Sequence, residues 1–364
     1  MSKQLWKYCL FISVILYIAC VRKINPPIRE NVPQLVVEGI ITTDSTPYIV
    51  KLSYSGNYTN TYTANHDSSA FYIADARVVI QNDLNDSAIC VWQMDGTYQT
   101  HDSAFVGVVG RSYTLIIYLS NGKVYRSKAE TIIAVPSIDS LSLFYDSTFI
   151  TDERPNQFII SDHFRDPANT ANYYRWSSSG YFSRKSWGGS CGYNWGPCGD
   201  PFSCDCHAQC KQFFESDQII VQTDKLVNGQ EIIQPVCYIP IYWFGKDFIE
   251  ISQFSLTKDA YIFWSQYLAQ TNGTGGILDP LPESLLGNIT NISDSNDVAL
   301  GFFEASDVKK RKLIIVPYNF QEYWLESIAG QFIKPGDCEV VYPGALPDDT
   351  DPSGWDDAQE IDLH

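Results

Sequence analysis

Short β-branched and aromatic runs, each closed by turn residues, recur from residue 35 onward and leave little room for helices. Leu35–Thr42 comes first, and residues 48–54, 76–81, 88–92, 112–118 and 123–126 follow. Such side chains suit a pleated, half-buried surface, and runs of this length predict strands. Asn121-Gly122 lies between the last two, and both residues accept the positive φ of a two-residue hairpin turn. Residues 140–145, 157–160, 173–177, 218–223, 248–254 and 312–317 continue the pattern. Only residues 257–270 read as a helix: Thr257 can cap it, Asn272-Gly273 can end it, and Ala260, Phe263, Trp264, Tyr267 and Leu268 share one face. The fold class that follows is all-β. Two β-sandwich domains are expected: a first, of immunoglobulin- or transthyretin-like type, over residues 34–135, and a second over 136–346 that holds the helix and a cysteine-rich loop at 187–214.

The first twenty residues carry a different signal. Lys3 and Lys7 precede an apolar run over residues 10–19, and Cys20 follows it directly. A basic start, a short apolar stretch and the small Ala19 describe a secretory leader. A cysteine immediately after the break is the mark of a bacterial lipoprotein. The run is half of the roughly 20 residues that a spanning helix needs. Residues 1–19 are therefore expected to be removed, Cys20 to be acylated, and residues 20–33, with three prolines, to act as a tether. Each buried CH₂ of an acyl chain contributes about 0.8 kcal/mol, and several chains together hold a protein on a membrane.

Composition agrees with a compartment outside the cytoplasm. Aromatic residues make up 14% and charged residues only 18% of the chain. The formal net charge is −17, and it falls to −19 once Lys3 and Lys7 are lost. Such a surface repels nucleic acid and anionic headgroups, so polynucleotide partners are excluded and the anchor rests on acyl chains.

Of ten cysteines, Cys9 belongs to the leader and Cys20 to the anchor. The remaining eight are Cys90, Cys191, Cys198, Cys204, Cys206, Cys210, Cys237 and Cys338, an even set that suits disulfides in an oxidising compartment. Five of them crowd residues 191–210, a glycine-rich stretch with little apolar surface of its own. Cross-links would order it by limiting its unfolded freedom. Five is odd, so one must pair outside the loop, and Cys237 is the candidate; eight cysteines still allow 105 connectivities. Cys204, Cys206, His207 and Cys210 also have the spacing of half a zinc knuckle, but a second Cys-x-x-Cys is missing and oxidation competes. Trp187, Tyr193 and Trp195 of the same loop can stack on a sugar face or cover the disulfides.

Catalytic patterns are sparse. There are five histidines, and Gly188-Gly-Ser190-Cys-Gly192 fits G-x-S-x-G without the strand and helix that a nucleophile elbow needs. No enzyme activity and no cofactor are expected. The acidic tail, 347–364, does carry a calcium-loop spacing: Asp349, Asp351, Ser353, Gly354, Asp357 and Glu360 fall at loop positions 1, 3, 5, 6, 9 and 12. Pro352 stiffens this stretch and no helix can follow it, so a solvated acidic tail is the reading preferred over a calcium site.

Two stretches carry a family likeness. One is residues 35–44 with 48–53. The other is Gly275-Gly-Ile-Leu-Asp279-Pro280-Leu-Pro282-Glu-Ser-Leu-Leu-Gly287-Asn288-Ile289, followed by Leu300-Gly-Phe-Phe-Glu304-Ala-Ser306. With Cys237-Tyr238, they resemble the Bacteroidota lipoproteins of domain-of-unknown-function family 4249. The resemblance implies a β-sandwich fold, an outer-membrane lipid anchor, and a gene placed beside a TonB-dependent receptor of the SusC type. It supplies no catalytic residue. This chain departs from the family in its acidic tail, and in Arg22-Lys23 where related surface lipoproteins carry acids. That leaves the periplasmic and surface faces both open. The function expected is that of a lipid-anchored accessory protein working with such a receptor in ligand capture or uptake. The alternatives are a stand-alone glycan- or peptide-binding module and, last, an envelope hydrolase built around His163 or His207.

Overall fold

The computed structural model describes residues 33–55, 71–146, 157–186, 209–240, 245–271, 285–316 and 337–362. The first eight strands are β1 (Leu35–Thr42), β2 (Ile49–Tyr54), β3 (Arg77–Asn82), β4 (Ser87–Trp92), β5 (Thr97–Thr100), β6 (Ser112–Tyr118), β7 (Val124–Ser127) and β8 (Glu130–Thr131). Then come β9 (Ser140–Asp146), β10 (Gln157–Arg165), β11 (Tyr173–Lys185), β12 (Gln209–Glu215), β13 (Ile220–Thr223), β14 (Glu231–Pro240) and β15 (Asp247–Ser255). Helix α1 (Lys258–Thr271) precedes β16 (Leu286–Asn291), β17 (Asp294–Ser306) and β18 (Val308–Val316). Helix α2 (Cys338–Val341), β19 (Leu346–Pro347) and β20 (Gln359–Asp362) complete the described elements.

Strands β1–β7 do not make a sandwich. The sheet runs β3-β4-β5-β2-β1-β17-β16-β7-β6, and β6 pairs back onto β3, which closes a nine-stranded barrel. The expected break at residue 135 therefore does not divide the chain, because β16 and β17 come from residues 286–306. Without them β1 and β7 would be free edges, each with a row of unpaired backbone groups. β17 fits the gap by pairing parallel to β1, from Val36↔Leu300 to Thr42↔Ser306, and antiparallel to β16. A parallel neighbour needs a long crossover; here it is the whole of β2 to β16. Alternation along β1 sends Leu35, Val37 and Ile41 inward, where they meet Val50, Leu52, Val78, Ile80, Leu115, Ile117 and Phe303 in one apolar interior.

The remaining strands do form a sandwich. A three-stranded sheet, β14-β10-β9, faces a seven-stranded one, β19-β12-β11-β15-β18-β20, with β13 also on β11. Phe158, Ile160 and Phe164 of β10 pack against Tyr174 and Trp176 of β11 and Ile249 and Ile251 of β15. The acidic tail is part of this sheet rather than a solvated extension: Lys211 pairs with Leu346, and β20 runs parallel to β18. Barrel and sandwich belong to one compact unit. The chain passes from β17 to β18 through the single residue Asp307. Helix α1 starts as expected, with the Ala260 amide donating to Thr257 Oγ1 at 3.2 Å. It buries Ala260 and Phe263 against Leu256 and the outward face of Phe302.

Candidate functional site

Residues 286–289 of the family-like stretch and its companion 300–306 lie in β16 and β17, where the barrel meets the sandwich. Two glycines allow the strands to approach. A Cβ on Gly287 would lie 1.5 Å from Gly301 O, and one on Gly301, whose φ is +89°, would lie 1.9 Å from Val37 O. Asn288 then reads the backbone of β17: its Nδ2 donates to Phe303 O at 2.9 Å, and its Oδ1 accepts from the Phe303 amide at 3.0 Å. The same Nδ2 donates to Glu130 Oε1 at 2.9 Å, and Thr257 Oγ1 donates to Glu130 Oε2 at 2.6 Å. Burial raises the Glu130 carboxyl above its usual value, and the bonds from Thr257 and Asn288 oppose that rise.

A second buried carboxylate sits beside it. Glu304 accepts from Arg175 Nη2 at 2.8 Å and Ser306 Oγ at 2.7 Å on one oxygen, and from Trp264 Nε1 at 2.7 Å on the other. The Arg175 guanidinium lies 4.3 Å from the Phe254 ring centre and 5.1 Å from that of Trp264. So β11 and β15 of the sandwich, β17 of the barrel and helix α1 share one ion pair. Asp307 ties the crossing point: it accepts from Thr43 Oγ1 at 2.6 Å, the Val135 amide at 2.9 Å and Lys309 Nζ at 3.2 Å. Two of the three chain passages between barrel and sandwich, at 135 and at 307, are thereby held by one side chain.

A cleft of ≈ 150 Å³ opens beside this network, lined by Lys128, Asp259, Phe263, Gln266, Gly287 and Phe302. That is smaller than the roughly 300–1,000 Å³ of usual small-molecule sites. Lys128 and Asp259 form an ion pair at 3.4 Å and are both exposed. Glu130 and Glu304 are committed to donors, so the arrangement clamps elements together. Ser142 and His163 are bonded at 2.7 Å, but as diagonal neighbours on the open outer face of the three-stranded sheet. No carboxylate bonds the other ring nitrogen among the described residues.

Several expected site residues lie outside the described residues: Cys20, Trp187, Cys191, Tyr193, Trp195, Cys198, Cys204, Cys206, His207 and the Pro280-Leu-Pro282 segment. Of the described cysteines, Cys210 and Cys338 form a disulfide between β12 and α2, 128 residues apart. Cys90 and Cys237 correct the expectation that all eight pair: both are free and buried. Strand alternation turns Cys90 into the barrel interior and Cys237 into the sandwich interior. Burial pushes their thiols up to about 12 and about 11, which makes them poor nucleophiles.

Residues 349–360 carry the calcium-loop spacing, and Lys211 of β12 reaches into this segment. Among the described residues no three acids or histidines converge on one point. Lys211 Nζ occupies the middle of this segment, donating to Asp348 O at 2.7 Å, Thr350 O at 3.1 Å and Asp351 Oδ1 at 2.9 Å, 4.6 Å from the Trp355 ring centre. Glu360 lies on β20 and bonds Lys246 at 3.1 Å. Asp349, Ser353 and Asp357 stay exposed. Of the side chains that the spacing suggested for a metal, Asp351 is thus taken by an ammonium group on β12 and Glu360 by Lys246. Sequence reading missed Lys211, Arg175 and Glu130; a single charge in an alternating strand, as in Tyr173-Tyr-Arg175-Trp176, was the available signal for Arg175.

The chain is similar to the solved structure of trypsin activated alpha-2-macroglobulin from Escherichia coli at 10% identity, over 62% of this chain and 15% of that one, with a TM-score of 0.19. That similarity is too low to carry an argument about fold or function. Comparison with curated proteins finds no match. A family described as a domain of unknown function (DUF4249) matches residues 21–312, which contain both junction glycines, Asn288 and Glu304. Its match spans most of the chain, and the protein belongs to that family.

Proposed function

We propose that this protein is an outer-membrane lipoprotein, anchored through Cys20, that serves as a non-enzymatic accessory to a TonB-dependent receptor in ligand capture or uptake. The Cys210–Cys338 disulfide is the observation that carries the compartment: it suits an oxidising envelope, as does a leader that ends at a cysteine. Among the described residues no helix is long and apolar enough to cross a membrane, so the anchor in this reading is the lipid on Cys20. The receptor partnership rests on the likeness to Bacteroidota lipoproteins. The structure adds a barrel and a sandwich whose buried polar groups at the junction, Glu130, Arg175, Asn288 and Glu304, bond one another and neighbouring elements.

Two measurements test this. Mass analysis of the mature N-terminal peptide is expected to find acyl chains on Cys20, and C20A to leave the membrane fraction. Detergent extraction followed by purification is expected to recover a β-barrel receptor with the protein; a pure protein with no such companion contradicts the accessory role.

A further inference from the structure

The sandwich interior contains polar atoms that its own residues leave unbonded. Asp162 alternates along β10 with the core residues Ile160 and Phe164, and Gln253 along β15 with Ile249 and Ile251. Both side chains therefore point inward, from facing sheets, and both residues are 0% exposed. Trp176 links them. Its Nε1 donates to Asp162 Oδ2 at 2.8 Å, and it lies directly opposite Gln253 in the β11–β15 ladder. Opposed residues on one face have Cβ atoms about 5 Å apart, so the Gln253 side chain stands beside the indole that reaches Asp162. Asp162 Oδ1 and both polar atoms of Gln253, Oε1 and Nε2, have no hydrogen-bond partner.

Neighbouring cations do not supply one. Lys309, opposite Gln253, bonds Asp307. Arg311 bonds Ile138 O, Asp139 O and Gln359. The barrel core treats its polar atoms differently, since Tyr48 and Tyr98 donate to Thr42 O and Ile73 O. A buried polar group without a partner bears the full cost of its desolvation, and such groups in folded proteins are nearly always bonded to protein or to ordered water.

The three atoms select the ligand. Whichever way the Gln253 amide is turned, they amount to two acceptors and one donor. A metal ion would find two oxygens and leave the amide nitrogen unbonded, and among the described residues no three acids or histidines converge on one point. An apolar molecule would bond none of them. Water both donates and accepts, and a buried water makes about three hydrogen bonds to groups of this kind. We infer that the sandwich core binds ordered internal water, which bridges Asp162 Oδ1 to the Gln253 amide beside Trp176. The water ties the three-stranded sheet to the seven-stranded one through polar bonds at the level of the indole.

A crystal structure of the intact protein, at a resolution that shows ordered water, tests this. Density for a water within hydrogen-bond distance of Asp162 Oδ1 and of the Gln253 amide is the expected result. A direct Asp162–Gln253 bond, or bonds from both to other side chains with no water between, overturns the inference. Oxygen-17 relaxation dispersion counts long-lived internal waters in solution. Q253M replaces the amide with an apolar chain of similar length, and the count should fall by about one. An unchanged count in folded Q253M also overturns the inference. If Q253M does not fold, the crystal structure of the unaltered protein still decides.

Discussion

In the barrel, the free edges of β1 and β7 are filled by β16 and β17, strands from far along the chain. In the sandwich, β12 and β18 receive only the short β19 and β20, and a disulfide binds β12 to α2 beside them. The interiors differ as well. The barrel core is apolar, with tyrosine hydroxyls returned to backbone at its ends, as in Tyr98 to Ile73 O at 3.0 Å. The sandwich core carries Asp162, whose Oδ2 accepts from Trp176 Nε1 at 2.8 Å while Oδ1 has no partner, and Gln253, whose side-chain atoms have none. The closed barrel relies on close backbone approach at Gly287 and Gly301, where β16, β17 and β1 meet. An open sandwich depends on cross-links and on charges at its edges.

The largest expected effect breaks the barrel. G301V places a side chain at φ +89° against Val37 O, and a loss of more than about 4 kcal/mol in a urea titration is expected. G344A, at φ +80° with open space around it, separates the steric part and should cost only about 1 kcal/mol. In the sandwich, C338S opens a link between residues 128 apart in sequence, and about 2–5 kcal/mol should be lost, as in other native disulfides.

A smaller effect depends on pH. Burial pushes the Asp162 carboxyl up to about 6 from 3.8. Between those values the unfolded chain releases a proton that the folded chain keeps, so stability falls as pH rises from about 4 to about 6. D162N should flatten that slope, which amounts to at most about 3 kcal/mol across the window. A comparably small effect is expected of K211M, which removes three hydrogen bonds from residues 348–351. It should cost about 1–2 kcal/mol and raise amide exchange in β19 and β20 before any other strand.

Local signals were readable where a strand is apolar and alternating. Leu35–Thr42 and Ser112–Tyr118 match β1 and β6 residue for residue, the hairpin at Asn121-Gly122 forms with Gly122 at φ +85°, and Thr257 caps its helix. β16 and β17 were missed because acids, asparagines and Gly301 interrupt them, and their burial depends on β1, which is more than 250 residues away. The likeness to the family drew on the right residues, Gly287-Asn288 and Gly301 to Ser306, but sequence alone could not say that their task is closure. Long-range pairing also hid the acidic tail. Asp349 to Glu360 has the spacing of a metal loop, and only the fold brings Lys211 into its middle. Cys237 was assigned to the loop by counting, whereas alternation along β14 turns it into the core.

Closure of the barrel by β16 and β17 is tested most directly by amide exchange of the intact protein across a urea titration. The β1 segment, 35–42, and the β17 segment, 300–306, should lose protection at the same urea concentration, together with β6. Retained protection of 35–127 after 294–306 has exchanged would contradict the closed barrel and restore an independent N-terminal sandwich.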